Sequence, residues 1–220
     1  MTPIIIRNRR STDFCSVTRG GIGMTTGVVE QAGWRIGDPL EVGFIAKAKC
    51  ILLRCVTDTE HSDQEGFRLA YSNKPKSTGG RVYCVAFIRN YLQTLVELPK
   101  KNLVPVFLRD SEWAVALPLE PIDWAREDFS KAGVNKISRG AVGAYELLGT
   151  GDAVLRVGEG KIKDRMNAHL NDRRFAPPTV KTFRYLDLEN VADGKILEKI
   201  RIEQYSAQTG VLPRFQEIRS

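Results

Sequence analysis

The chain has 220 residues, of which 42% are hydrophobic and 27% charged. This is the make-up of an ordinary globular protein, and it excludes collagen, a long coiled coil and wholesale disorder. Lysine and arginine number 33 against 26 aspartates and glutamates, a formal net charge of +7, which points to a polyanionic partner, most often nucleic acid.

The length leaves room for one large domain or two small ones. No apolar run approaches the ~20 residues that a membrane-spanning helix needs. Near the N-terminus Ile4, Ile5 and Ile6 precede Arg7, Arg9 and Arg10, the reverse of a secretory signal's order. The expectation is a cytoplasmic protein without a membrane partner. Cys15, Cys50, Cys55 and Cys84 lack a tight second pair, and His61 is the only histidine near them. They read as reduced, partly buried thiols in preference to a zinc site.

In chain order, Thr25 to Ala32 reads as a short helix ending at Gly33, and Gly37-Asp38-Pro39 turns into a hairpin of 40–45 and 50–56. About fifty residues later the order returns: a strand over 80–85, a helical pattern over 86–95, and a second hairpin of 104–108 and 113–117. Such an internal repeat predicts two units, about 12–58 and 78–118, that pair to complete one core. Residues 119–138 then read as a linker. Residues 1–118 hold 16 basic and 11 acidic residues, the linker 3 and 4, and residues 139–220 hold 14 and 11. Positive charge thus stands on both sides of a slightly acidic connector. One polyanion spanning both parts would give this distribution, and so would charge scattered over solvated surfaces.

The stretch Gly33-Trp-Arg-Ile-Gly-Asp-Pro-Leu-Glu-Val42 followed by a hairpin resembles the swapped-hairpin DNA-binding units of the AbrB/SpoVT family. The second repeat lacks the Gly-Asp turn. The resemblance implies a mostly-β barrel of two swapped-hairpin-like repeats that grips double-stranded DNA through basic residues on its loops. The candidate contacts are Arg7, Arg9, Arg10, Arg19, Lys74, Lys76 and Arg81, each of which reads equally as an ordinary solvated charge.

The last eighty residues carry more chemistry. Strands are predicted over 143–148, 153–157 and 182–188. A helix runs from about Lys161 to Leu170 with Ile162, Met166 and Leu170 as its buried stripe. Arg165 and His169 stand four apart on a neighbouring face. A second helix, capped by Asp193, runs from about Lys195 to Gln208 and stops at Gly210 and Pro213. Its stripe of Ile196, Ile200, Glu203 and Ala207 brings a carboxylate into line with the core, which is costly without a cation or charge partner. A metal ion, a salt bridge to Arg165, and a shifted helix phase with Ile202 in the core each account for Glu203.

Gly143-Ala-Tyr145, Arg156-Val-Gly158, the Arg165-x3-His169 pair and Glu203-Gln-Tyr205 occur in this order, on these elements. Together they resemble the GIY-YIG nuclease superfamily over about 139–220. The resemblance implies a small α/β domain, a three-stranded antiparallel sheet flanked by helices, within an overall α+β chain. It implies phosphodiester hydrolysis assisted by one Mg²⁺ or Mn²⁺ ion. Glu203 would hold the metal, and Arg165 would clamp the scissile phosphate. Tyr145 would orient or deprotonate the attacking water, and His169 would assist proton transfer or hold the tyrosine. Arg156, Lys161 and Lys163 join the candidate nucleic-acid contacts. The sequence departs from the family twice: Arg156 stands where a second tyrosine is usual, and Gln216 where an asparagine is usual. The expected activity is a DNA endonuclease, restriction- or defence-like, with sequence preference from the N-terminal part. Double-strand cutting would take two chains on the DNA. The alternative is a DNA-binding regulator with a degenerate nuclease domain.

Overall fold

The computed structural model describes residues 13–56, 67–71, 79–176 and 178–216. Among these, no helix is long and apolar enough to cross a membrane. The chain divides into two compact units, Met1–Pro121 and Ile122–Ser220.

The first unit is mostly β. Its strands are β1 (Cys15–Thr18), β2 (Gly21–Met24), β3 (Pro39–Ile45), β4 (Cys50–Cys55), β5 (Phe67–Tyr71), β6 (Gly80–Val82), β7 (Val106–Phe107) and β8 (Val115–Pro118). They form one curled antiparallel sheet in the order β1-β2-β6-β5-β3-β4-β8-β7. Leu103, just before β7, exchanges backbone hydrogen bonds of 2.9 and 2.8 Å with Cys15 of β1, which ties the two ends of the sheet together. Helix α1 (Thr26–Gln31) follows β2. Helix α2 follows β6, opening as Val85–Phe87, widening to a π turn over Ile88–Leu92 and closing as Gln93–Leu95. Strand, helix and hairpin therefore do recur, as β2-α1-β3-β4 and β6-α2-β7-β8. Equivalent strands also pair, β2 with β6 and β4 with β8. The expected strand over 104–108 shrinks to two residues because Pro105 has no N–H for the ladder. The β1–β2 hairpin and β5 have no counterpart in the sequence reading. Inward residues of both repeats, among them Ile22, Val28, Leu53, Val82, Ile88 and Leu117, share one core.

The second unit starts inside the stretch expected to be a linker. Residues 119–138 carry β9 (Ala125–Asp128) and helix α3 (Lys131–Lys136), whose Ser130 Oγ accepts from the Gly133 N–H at 3.1 Å. The charge of this stretch is a solvated edge strand and a short helix, not a connector. Next come β10 (Val142–Leu148), β11 (Val154–Lys161), α4 (Ile162–Leu170), β12 (Thr182–Leu188) and α5 (Val191–Thr209). The sheet has four strands, one more than expected, in the order β11-β10-β12-β9 with every pair antiparallel. Helix α5 begins four residues before the predicted start. Asn190 caps it in place of Asp193, its Oδ1 accepting from the Asp193 N–H at 2.8 Å. Gly210, left-handed at φ 77°, ends it.

The pleat of β10 gives the sheet two unlike faces. Tyr145 and Leu147 pack with Phe183 and with Ile162 and Met166 of α4. Glu146 points the other way, toward α5. It is fully buried and receives Nε of Arg184 and Nε of Arg201, each at 2.7 Å. Both guanidiniums lie over the Trp124 ring, at 5.3 and 5.8 Å. Gly143 and Gly194 let α5 come close to β10, since a Cβ on Gly194 would stand 2.8 Å from the Gly143 oxygen. Removing one partner of a buried ion pair strands the others. Glu146→Ala is expected to cost about 3 kcal/mol of second-unit stability, read as a lowered urea midpoint of its unfolding transition.

Candidate functional site

Three elements bring the side chains of the second unit's site together. Strand β10 supplies Tyr145. The antiparallel register sets it opposite Gly158 of β11. The phenol lies over that glycine: a Cβ there would meet Tyr145 Cζ and Oη at 2.3 Å, so no other residue fits beneath the ring. Helix α4 supplies His169, whose Nε2 stands 2.8 Å from the Tyr145 hydroxyl. His169 continues into a file of rings, edge-on to Phe175 at 4.7 Å, which is edge-on to Phe215 at 5.2 Å. Arg165, one helical turn before His169, donates from Nε to the Glu159 carbonyl at 3.1 Å.

The charges around this couple are mostly positive. Burial pushes the Tyr145 pKa up, Arg156 and Arg165 pull it back, and Glu198 of α5 pushes it up again. Tyr145 is only 1% exposed. Burial depresses the His169 pKa to about 4, with Arg156 and Arg165 adding to the effect and Asp172 opposing it. His169 is therefore a neutral imidazole at neutral pH, hydrogen-bonded to a protonated phenol.

Tyr145, His169, Arg165 and Arg156 thus gather at one place. Arg156 turns inward: it donates from Nη1 to the Phe215 carbonyl at 2.8 Å, and its charge acts on Tyr145. The Gln216 side chain is occupied as well, its Oε1 accepting from the Val157 N–H at 3.1 Å. Lys161 is exposed at the start of α4. Lys163 instead donates to the Asn135 and Ile137 carbonyls at 3.3 and 3.1 Å, closing the C-terminal end of α3. The buried stripe of α5 is Gly194, Ile196, Leu197 and Ile200; Ile202 and Glu203 are both half-buried and Ala207 is exposed. The carboxylate that Tyr145 feels most is Glu198, which the stripe reading overlooked because it falls between core positions. Five residues of helix turn a side chain by about 140°, so Glu198 and Glu203 face different ways.

In the first unit, the fold sets Arg81 of β6 beside the exposed β1–β2 turn that holds Arg19. Arg81 donates from Nη2 to Thr18 Oγ1 at 2.9 Å and lies over the partly exposed ring of Tyr83 at 5.4 Å. Arg7, Arg9, Arg10, Lys74 and Lys76 lie outside the described residues. Among the described residues, Cys15, Cys50 and Cys84 are buried free thiols whose pKa values burial raises to about 12, 12 and 11.

No family model, curated protein or solved structure matches the chain.

The depressed His169 pKa makes a stability prediction. Between its ordinary 6.5 and about 4 the unfolded chain binds a proton that the folded chain refuses. This part of the second unit's stability is complete above pH 6.5 and fades as pH falls toward 4. Urea midpoints measured across that window are expected to fall more steeply for the wild type than for His169→Gln.

Proposed function

We propose that the protein is a metal-dependent DNA endonuclease whose second unit hydrolyses phosphodiester bonds and whose first unit supplies sequence preference. The observation that carries this reading is the Tyr145–His169 hydrogen bond of 2.8 Å with two arginines acting on it. The fit to the sequence motifs supports it: the tyrosine, the glycine beneath its ring, and the Arg-x3-His pair occupy neighbouring positions.

The couple handles a proton. Tyr145 holds one and neutral His169 offers a vacant lone pair, so the two together accept the proton of an attacking water. Burial opposes negative charge on the phenol oxygen, and Arg156 and Arg165 offset part of that cost. Arg165, beyond its bond to Glu159, has the planar fork that suits a phosphate. As the water's oxygen bonds to phosphorus, the bond to the departing sugar oxygen breaks and charge builds on the phosphoryl oxygens. A guanidinium at that point lowers the barrier.

A half-buried carboxylate on α5 fits a hard divalent ion, since Mg²⁺ and Mn²⁺ take one or two carboxylates and complete their shell with water and phosphate oxygens. Glu203, the residue that the sequence motif names, and Glu198, whose charge acts on Tyr145, are the two half-buried α5 carboxylates we propose as candidates to hold it. When bound, the ion would neutralise charge on the phosphate and its leaving oxygen.

DNA contact falls to the first unit's basic turn, Arg19 with Arg81 and Tyr83, and in the second unit to Lys161. A binding-only regulator is the second reading, favoured by one observation: Arg156 occupies a site position where a hydroxyl would be expected.

Purified protein is expected to nick plasmid DNA with Mg²⁺ or Mn²⁺. Arg165→Ala should lower the rate at least ~10²-fold with DNA binding retained, and a loss of the same size on Glu203→Ala or on Glu198→Ala marks which carboxylate holds the metal. Binding without nicking in either metal would favour the regulator. Arg81→Gln should weaken DNA binding and reduce the slope of log affinity against log salt by about 1, measured by fluorescence anisotropy.

A further inference from the structure

The sheet face away from Tyr145 carries a cluster of charges that the nuclease reading leaves unused. Arg184 stands opposite Glu146 in the β10–β12 register and shares its face. Arg201 reaches the same carboxylate from α5. Glu146 uses both oxygens on the pair: Oε2 takes Nε of Arg184 at 2.7 Å and also its Nη2, and Oε1 takes Nε of Arg201 at 2.7 Å. Nη1 of Arg201 goes on to Gln204 Oε1 at 2.8 Å. Both guanidiniums lie over the ring of Trp124, just ahead of β9.

One guanidinium balances Glu146, and two leave a charge of +1. Among the described residues no other carboxylate pairs with either arginine. Arg126, opposite Arg184 in the β9–β12 register, is matched by Asp152 and adds nothing to the sum. Nη1 of Arg184, Nη2 of Arg201 and Nε1 of Trp124 have no acceptor among the described residues, and none of the three is a buried atom. They therefore reach solvent. The arginine side chains are 28% and 22% exposed, whereas Glu146 is 1% exposed, so the spare charge lies on the outer side of the cluster.

We infer that Arg184, Arg201 and Trp124 form a binding site for one phosphodiester of a nucleic-acid strand. Each guanidinium has five N–H donors in a rigid plane. Glu146 and the Trp124 ring fix both planes before a ligand arrives, so a phosphate oxygen meets donors already in place. A phosphodiester carries a single negative charge, which the spare +1 matches. A phosphate monoester carries about −1.5 to −2 at neutral pH and would stay partly uncompensated. The indole beside the guanidiniums offers the adjoining sugar or base an apolar surface. The inference shares with the nuclease reading only the nucleic-acid partner, since Tyr145 and His169 lie in the other layer and take no part in it.

The chain has three tryptophans, Trp34, Trp113 and Trp124, so ¹⁵N spectra of the full chain carry three indole signals, that of Trp124 being assigned from Trp124→Phe. In EDTA, where metal-dependent cleavage is silent, a short single-stranded oligothymidylate is expected to shift the Trp124 signal saturably. The same oligomer with uncharged methylphosphonate linkages should leave it in place. Thymidine monophosphate should need a concentration at least ~10-fold higher for the same shift. Arg201→Gln leaves Glu146 one guanidinium and no spare charge, and it should raise the oligothymidylate midpoint at least ~10-fold. A Trp124 signal unmoved by oligothymidylate overturns the inference. So does an equal shift with the methylphosphonate oligomer, an unchanged midpoint in Arg201→Gln, or a monophosphate that binds as tightly as the oligomer. Where Arg201→Gln does not fold, judged by circular dichroism, the methylphosphonate comparison on the wild type decides. Plasmid nicking with an unmoved signal sinks this inference alone, and a titrating signal without nicking in either metal sinks the nuclease reading alone.

Discussion

Two adjacent residues of β10 put polar groups into opposite layers of the second unit, and the rest of that unit is built around them. Tyr145 goes into the layer under α4 and Glu146 into the layer under α5. Neither group tolerates burial alone. Glu146 is satisfied by Arg184 from β12 and Arg201 from α5, which fixes both elements against the central strand. Tyr145 is satisfied by His169, which fixes α4. A slip of one residue in β10 would exchange the two, taking the carboxylate away from Arg184 and Arg201 and the phenol away from His169. The register is therefore specified by charge as well as by apolar packing.

Much of this was legible in the sequence. The strands around Tyr145 and Arg156, the Arg165–His169 helix and the end of α5 at Gly210 follow from periodicity and capping residues, since these signals are local. The role of Gly158 shows why a three-letter motif carries geometry: the glycine is read across a strand pair, as the floor under a ring contributed by β10. In the first unit the repeat of strand, helix and hairpin was visible because each copy has its own turn residues.

Other features were not legible, for definite reasons. Strand β9, Ala125-Arg-Glu-Asp128, has no apolar alternation because it is a solvated edge, so composition alone made it look like a connector. Glu146 lies inside a run that reads as apolar, and its two partners stand 38 and 55 residues away. The expected α5 stripe runs to Ala207, whereas the buried residues end at Ile200, and Glu198 lies between the buried Leu197 and Ile200. Lys163, a candidate nucleic-acid contact in the sequence, sits where α3 ends, and the carbonyls there take it. These are long-range facts, and no window of sequence contains both halves of them.

The two margins of the four-stranded sheet are closed to strand exchange in different ways. One, β11, is overlain by the chain's own residues 215 and 216. The other, β9, presents Arg126, Glu127 and Asp128, with Arg126 held by Asp152 and Thr182 and Glu127 by Lys136. An unpaired strand edge is ordinarily a template for another chain, and charged or covered edges suppress that. Borders of this kind disfavour a continuous intermolecular sheet through this unit.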